Sequence, residues 1–495
     1  MYALVSFFSG LLFTAAFSPF DYWYAAFISL TALAWVWLHA PTNRTVRYGF
    51  LFGLGNFGSG VYWVYISLYR FGNAPLIFAI LANVLLVLYL ALYPALVGYV
   101  LRRLSAPRTV YRLLLIPLLW LGAEFLRAYF LTGFPWLSAA YSQLYGVLNG
   151  FVPIFGVFGT GLFLLLICAL FAYTLSQRVA YPTVIAGFIV AIALVSRELS
   201  FTHAIGQPFS VALVQGNASQ YTKFDAEHMQ KDMEDYIALS AARSESVIIW
   251  PETAVAFMEE SIKAPVLEPL DALFKDKRQA VVLGIPSGNI RADYYNSVIT
   301  LGAANGRYAK NHLLPFGEFI PFKPVFQIFS RFVDMPLGDF SRGGSQQAPI
   351  FTQGVPATVS ICFESAFGRQ VRQGVTNAQY LINVSNDGWF QGSIAAHQHL
   401  QMSQMRALEL GREMARATST GITVFIDSQG KILSSLPQHE QAVLSGWIQP
   451  RIGLTPYARF GNTLFISLWL LYAIIAALLY PMRKNHARAI SSEYY

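Results

Sequence analysis

Lysine is absent from the first 200 residues of this 495-residue chain, where three acids (Asp21, Glu124 and Glu198) stand against ten arginines. Charged residues are scarce throughout, at 12% against 55% hydrophobic, and the mean hydropathy is +0.45. So little charge excludes an ordinary soluble protein. Cysteine is nearly missing as well. Cys168 and Cys362 are the only two, too few for a disulfide framework. No repeat of 20–50 residues occurs, which excludes a solenoid. No lysine/arginine-rich patch or nucleic-acid motif accompanies the net charge of +8, so that charge does not imply a nucleic-acid partner. The excess is carried by the apolar parts, because residues 201–460 hold 21 basic and 22 acidic side chains.

What fills the charge-poor regions is apolar sequence. A hydrocarbon core of ~30 Å takes about 20 mostly apolar residues as helix. Seven stretches qualify before residue 200: 3–20, 22–40, 48–69, 75–101, 112–132, 150–175 and 181–196. An eighth covers 462–480. The first has no basic start and a second span follows at once, so it is not read as a cleavable signal peptide. Alternate loops carry Arg44 and Arg47, then Arg102, Arg103, Arg108 and Arg112, then Arg178, then Arg483, Lys484 and Arg488; the opposite short loops hold little beyond Arg70. By the positive-inside rule both termini are cytoplasmic and 197–460 lies across the membrane. Within the fifth span Glu124 and Arg127 share a helix face. They are either an ion pair locking that helix or groups beside a polar or headgroup site near "TGFPW" (132–136).

Residues 200–458 have another texture. The β-branched runs 210–215, 246–250, 280–285, 296–301, 357–363, 380–385 and 423–428 read as strands, and 225–243, 265–277, 365–376 and 395–417 as helices. The expected fold is α/β, with helices covering sheet faces, preceded by helices in 1–199 and followed by one more in 459–495.

Polar residues at strand ends are the candidates for chemistry. "SVIIWPETA" puts Glu252 just past a strand, "RYAKNHLLPFGEFIP" holds Lys310 and Glu318, and "ATVSICFESAFG" holds Cys362. Each has a plain structural reading. Cys362 can be a small core filler, Glu252 a helix-start carboxylate, Lys310 a solvated charge and Glu318 its partner. Together they fit one chemistry: a thiol that needs a base, a carboxylate to take its proton, and an ammonium for the anion that forms. The N–H of Phe363, just after the sulfur, is a natural further donor.

The ordered set "WPET", "KNHLLPFGE", "ICFES" and "SNDGWF" resembles the carbon–nitrogen hydrolase (nitrilase) superfamily with its Glu–Lys–Cys triad. With the eight spans, "TGFPW", "PFGEFIP" and 395–418, the chain is similar to the apolipoprotein N-acyltransferase family. The resemblance implies an eight-helix transmembrane bundle carrying a nitrilase-like αββα sandwich. It places the triad on Glu252, Lys310 and Cys362, with Glu318, Phe363 and Glu364 supporting and Phe224, Phe316, Trp389 and Asn296 toward substrate. Phe224 stands where some members have tryptophan, so an indole N–H is lost there. It implies no cofactor and no metal. The partners would be a phospholipid donor such as phosphatidylethanolamine and a diacylated apolipoprotein acceptor, and the location a bacterial inner membrane with the catalytic domain periplasmic.

Phe316, Phe319, Phe322, Phe326, Phe329 and Phe332 recur at three- or four-residue steps, as core packing or as an apolar lid with hinge glycines in 338–347. Trp389 either lines the substrate entrance or packs. His397 and His399 have no third ligand at a recognisable spacing and are not read as a metal site. Two other classes are a membrane-tethered amidase or nitrile hydrolase that uses water as acceptor, and a transporter. The latter predicts polar, broken spans, which Glu124 and Arg127 alone do not supply.

Overall fold

The computed structural model describes residues 1–104, 109–289, 291–321 and 339–478. Phe322, Phe326, Phe329 and Phe332 of the expected lid lie outside these, as do Arg108, Arg483, Lys484 and Arg488. The chain divides into two compact units, Met1–Tyr62 with Val84–Leu199 and Phe460–Tyr495, and Trp63–Asn83 with Ser200–Arg459.

The first unit is helical. Among the described residues, Leu76–Leu104, Tyr111–Thr132 and Asn149–Gln177 are long and apolar enough to cross a membrane, while Tyr2–Thr14, Trp23–His39, Tyr181–Ser196 and Thr463–Leu478 are apolar but shorter. Helix Tyr2–Thr14 packs on Thr45–Gly60 by backbone approach. A Cβ on Gly10 would sit 2.1 Å from the Phe52 carbonyl oxygen, and one on Gly55 2.2 Å from that of Phe7. Small residues at such contacts are how helices associate where no hydrophobic effect separates helix from lipid. Glu124 and Arg127 are both buried and both spent on the loop after their helix. Glu124 accepts from Trp120 Nε1 and the Ala139 N–H, each at 2.9 Å. Arg127 donates to the carbonyls of Phe134 (2.8 Å) and Trp136 and to Ser138 Oγ (3.1 Å). The pair therefore pins "TGFPW" and the turn behind it to the helix.

The stretch 48–69, expected as one span, is two helices. Thr45–Gly60 ends where Val61 leaves the helical region (φ −129°), and Val64–Arg70 belongs to the second unit. Polar and aromatic contacts outweigh continuation of the helix. Trp63 Nε1 donates to Gln398 Oε1 (3.2 Å), Ser67 Oγ to the Trp389 carbonyl (2.8 Å), and Phe71 lies edge-on to Trp389 at 5.6 Å.

Apart from a two-stranded sheet, His203–Ala204 with Arg451–Ile452, the rest of the second unit is α/β with two large sheets. One runs Ala442–Ile448, Phe209–Gln215, Val247–Ile249, Ala280–Gly288, Tyr294–Gly302, Arg307–Ala309; the other Ile432–Ser435, Val424–Ile426, Met414–Thr418, Tyr380–Ser385, Val355–Ile361, Ile350–Thr352, Ala304–Asn305. Central strands pair parallel and outer ones antiparallel, which suits apolar runs buried on both faces. Met233, Tyr236, Leu270 and Phe274, from helices Ala226–Ala241 and Glu268–Asp276, cover Ile248, Leu283 and Ile299 of the first sheet. Leu400, Ala407 and Leu410 of helix Ile394–Leu410 cover Leu381, Met414 and Val424 of the second. Between the sheets Phe209 meets Tyr380 at 5.3 Å.

The helix expected over 395–417 stops at Leu410. Gly411 takes a left-handed φ of +61°, and Met414–Thr418 becomes a strand parallel to Tyr380–Ser385. Tertiary pairing overrides a helical pattern that glycine had already interrupted.

Candidate active site

Three strand ends of the second unit converge. Strand Val247–Ile249 leads through Pro251 to Glu252, which is buried. The turn lies directly on the neighbouring strand, because a Cβ on Gly284 would meet the Pro251 carbonyl oxygen at 2.4 Å and Glu252 Cα at 2.8 Å. Only glycine allows that approach. Lys310 follows strand Arg307–Ala309, donates its N–H to the Asn296 carbonyl (2.8 Å), and is 1% exposed. Cys362 follows strand Val355–Ile361 with φ +50°, a left-handed conformation that costs a non-glycine residue about 1–3 kcal/mol.

Glu364 holds that strained turn. Its carboxylate accepts from the Ile361 N–H at 2.9 Å, from the N–H groups of Asn311 (2.8 Å) and His312 (3.0 Å), and from Tyr308 Oη at 2.9 Å to each oxygen. One fully buried side chain thus ties the cysteine turn to the backbone just after Lys310. Burial pushes the Glu364 carboxyl up, and the Ile361 and His312 N–H groups, Lys310 and the Asn311 N–H pull it back.

Lys310 Nζ donates to Glu318 Oε1 at 2.8 Å and to Glu252 Oε1 at 3.3 Å. Asn296 Nδ2 donates to the same two oxygens, at 2.8 Å each. The remaining carboxylate oxygens accept backbone N–H groups, Glu252 Oε2 from Asn386 (2.9 Å) and Glu318 Oε2 from Leu314 (2.7 Å). Burial works against the charged form of Lys310, yet Glu252, Glu318 and Cys362 together hold the ammonium well above its ordinary range. Burial foremost, then Glu252, pushes the Cys362 thiol up; Lys310 opposes and Asp387 adds to the rise. The resting sulfur is therefore protonated at neutral pH, and it needs a base at the moment of attack.

Phe363 is buried against Phe367 at 5.0 Å. Phe224 is half-buried, and Phe316 is 42% exposed with φ +62°. Trp389 is half-buried beside Phe71. Asn296, expected toward substrate, gives its amide nitrogen to Glu252 and Glu318 and so sets the spacing of the two carboxylates.

Other buried residues stand behind the cysteine, and the sequence alone gave them no part in the site. His399 Nε2 lies 3.0 Å from the Cys362 carbonyl oxygen and 2.9 Å from Ser365 Oγ, and Nδ1 lies 2.9 Å from Asp387 Oδ1. Arg416 donates to Asp387 Oδ2 at 2.9 Å and Ser385 Oγ to Oδ1 at 2.9 Å. Burial pushes the Asp387 carboxyl up, but Arg416 first and His399 next hold it well below the usual carboxylate range. The imidazole read as a failed metal ligand is a strut between a buried anion and the strained turn. His399→Ala is expected to lower kcat on the order of 10²-fold with KM little changed. Equal losses in kcat/KM and in thermal stability, with kcat intact, would contradict this positioning role.

Two family profiles match the chain: one described as the apolipoprotein N-acyltransferase N-terminal domain, over residues 9–170, and one as carbon-nitrogen hydrolase, over residues 210–457. The apolipoprotein N-acyltransferase of Methylococcus capsulatus is 38% identical over 97% of this chain and 95% of its own length. That of Nitrosomonas europaea is 37% identical over 94% and 95%. Among solved structures, the C. elegans NitFhit protein aligns with a TM-score of 0.40 and 15% identity, over 50% of this chain and 62% of its own. With identity of this level along nearly its whole length, the chain belongs to the apolipoprotein N-acyltransferase family.

Proposed function

We propose that this protein moves a fatty acyl chain from a phospholipid, through a thioester on Cys362, to the α-amine of a diacylglyceryl-cysteine at the N-terminus of an apolipoprotein. The observation that carries the reading is the buried Glu252–Lys310–Glu318 cluster with Cys362, whose thiol is pushed up by burial and by Glu252. Glu252 takes the thiol proton as sulfur attacks the ester carbonyl. Lys310 and the Phe363 N–H hold the oxyanion, and its collapse expels the lysophospholipid alkoxide, which takes the proton back from Glu252. An α-amine has a pKa near ~7.7–8.0 and attacks only when neutral. It adds to the thioester and gives its proton to Glu252. The tetrahedral intermediate then releases sulfur, which recovers that proton and leaves an amide. Glu318 keeps Lys310 in place and charged throughout, and Glu364 keeps the Lys310 loop against the cysteine turn.

Both substrates are anchored in a bilayer, and the apolar helices suit a chain that works there. The arrangement we favour has eight membrane spans, both termini cytoplasmic and the catalytic unit on the periplasmic side of a bacterial inner membrane. Its support is the alternation of arginine-rich and arginine-poor loops. Phosphatidylethanolamine is the donor we favour. Phe224, Phe316 and Trp389 are the aromatic residues assigned to the lipid chains.

Incubation of the purified protein with phosphatidylethanolamine and a synthetic diacylated lipopeptide is expected to raise the peptide mass by one acyl group and release one lysophospholipid per product. Free fatty acid formed at the same rate with and without peptide would instead mean that water is the acceptor.

A further inference from the structure

The turn that precedes helix Ala226–Ala241 is fastened beside the cluster. Gln220 Oε1 accepts from Asn386 Nδ2 at 2.6 Å, and Asn386 in turn gives its N–H to Glu252. Tyr221 Oη accepts from Gln391 Nε2 at 2.5 Å, and the Asn217 N–H reaches the Ser419 carbonyl at 2.9 Å. Inside this turn Lys223 is 3% exposed, and among the described residues its Nζ has no hydrogen-bond partner. A buried ammonium without a partner costs several kcal/mol unless negative charge is nearby or arrives.

We propose that Lys223 is a second cation of the acyl-transfer site, stabilising negative charge as it forms on the Cys362 sulfur and the acyl oxygen. This rests on the thioester reading above. Two carboxylates, Glu252 and Glu318, share the single ammonium of Lys310, and Lys310 has spent two of its three N–H groups on them. Asp387 has its own counter-ion in Arg416. When sulfur loses its proton to Glu252, negative charge moves from that carboxylate to the sulfur and then the acyl oxygen; Lys310 meets it with its one unspent N–H, and Lys223, which makes no such bond among the described residues, adds a second cation. The groups that face Lys223 electrostatically are Glu252, Asp232 and Cys362, and burial lowers its pKa to about 8 against their pull. A cation with open N–H groups in a water-poor site is worth most where charge develops during reaction.

The test uses the full-length protein carrying Cys168→Ala, so that Cys362 is its single thiol. Two rates are read: alkylation of Cys362 by iodoacetamide across pH, and acyl-enzyme formation in a single turnover, from phosphatidylethanolamine and from an uncharged p-nitrophenyl ester. In Lys223→Met and Lys223→Gln the alkylation midpoint is expected to rise by about one pH unit. Acylation from both donors is expected to fall on the order of 10²-fold. Lys223→Arg is expected to recover most of the rate. Both neutral variants should fold, since they remove no hydrogen bond.

Unchanged alkylation and acylation would overturn the proposal. So would a loss confined to KM for phosphatidylethanolamine, which would make Lys223 a phosphate contact. Failure of both neutral variants to fold would also overturn it, because Lys223 would then be structural. A parent protein that acylates Cys362 yet modifies no lipopeptide would refute the acceptor assignment and leave the Lys223 result readable.

Discussion

Cys362→Ala is expected to carry no acyl adduct after exposure to phospholipid and to lose lipopeptide acylation on the order of 10⁴-fold or more, to the level of the uncatalysed reaction. Intact-protein mass spectrometry reads the adduct directly, and Cys168→Ala is the control. Cys168 is buried in the apolar helix Val152–Gln177 of the first unit, so its loss should leave the adduct unchanged. Cys362→Ser is almost as informative. A hydroxyl on the same strained turn keeps the geometry but is a far poorer nucleophile for the same base, and an ester formed there would be slow to pass its acyl group to an amine. The fold should survive either change. Cys362 is small, and its φ of +50° is imposed by the bonds of Glu364 and His399 rather than by its own side chain. An acyl group found on the unaltered protein at any other residue would refute the assignment.

Lys310→Met should cost nearly as much activity, and it should cost stability too. The ammonium is 1% exposed and bridges two carboxylates that are themselves buried. Removing it leaves Glu252 and Glu318 sharing Asn296 with no cation between them. Breaking a buried ion pair from one side costs about 3–5 kcal/mol, and here like charges are left facing each other. The variant can recover only if one carboxylate takes up a proton, which removes either the base or its support. We therefore expect a fall of at least about 10³-fold in acyl-enzyme formation and a thermal midpoint lower than that of Cys362→Ala. Glu252→Gln combined with Lys310→Met should be little worse than Lys310→Met alone, since members of one catalytic unit are not additive. Full additivity in that double variant would mean that the two residues act in separate steps.

Much of the fold could be read locally. The β-branched runs announced the strands Phe209–Gln215, Ala280–Gly288, Tyr294–Gly302, Val355–Ile361 and Tyr380–Ser385 within a residue or three, since a buried strand needs continuous apolar sequence. Strands Ile432–Ser435 and Ala442–Ile448 were not legible, being half-exposed edge strands that turn even Leu433 and Trp447 to solvent and so lack a continuous buried run. The break at Val61 escaped notice for a related reason. Hydropathy sees apolar residues, whereas what separates Val64–Arg70 from the helix before it is a set of bonds to residues more than 300 positions away.

The order of polar residues along the chain already named Glu252, Lys310, Glu318 and Cys362, because three of them follow the end of a strand and Glu318 lies eight residues after Lys310. Nothing local distinguishes Asn296, Tyr308, His399 or Lys223 from residues that merely pack. Their importance lies in which atoms they face. Asn296 reaches Glu252 across 44 positions, His399 reaches Cys362 across 37, and Asn386 meets Glu252 across 134. Composition and pattern act through burial, which is set by each residue's own neighbours along the chain. Hydrogen bonds and ion pairs require specific atoms within about 3 Å, and only the folding of distant strand ends onto one another decides which ones meet.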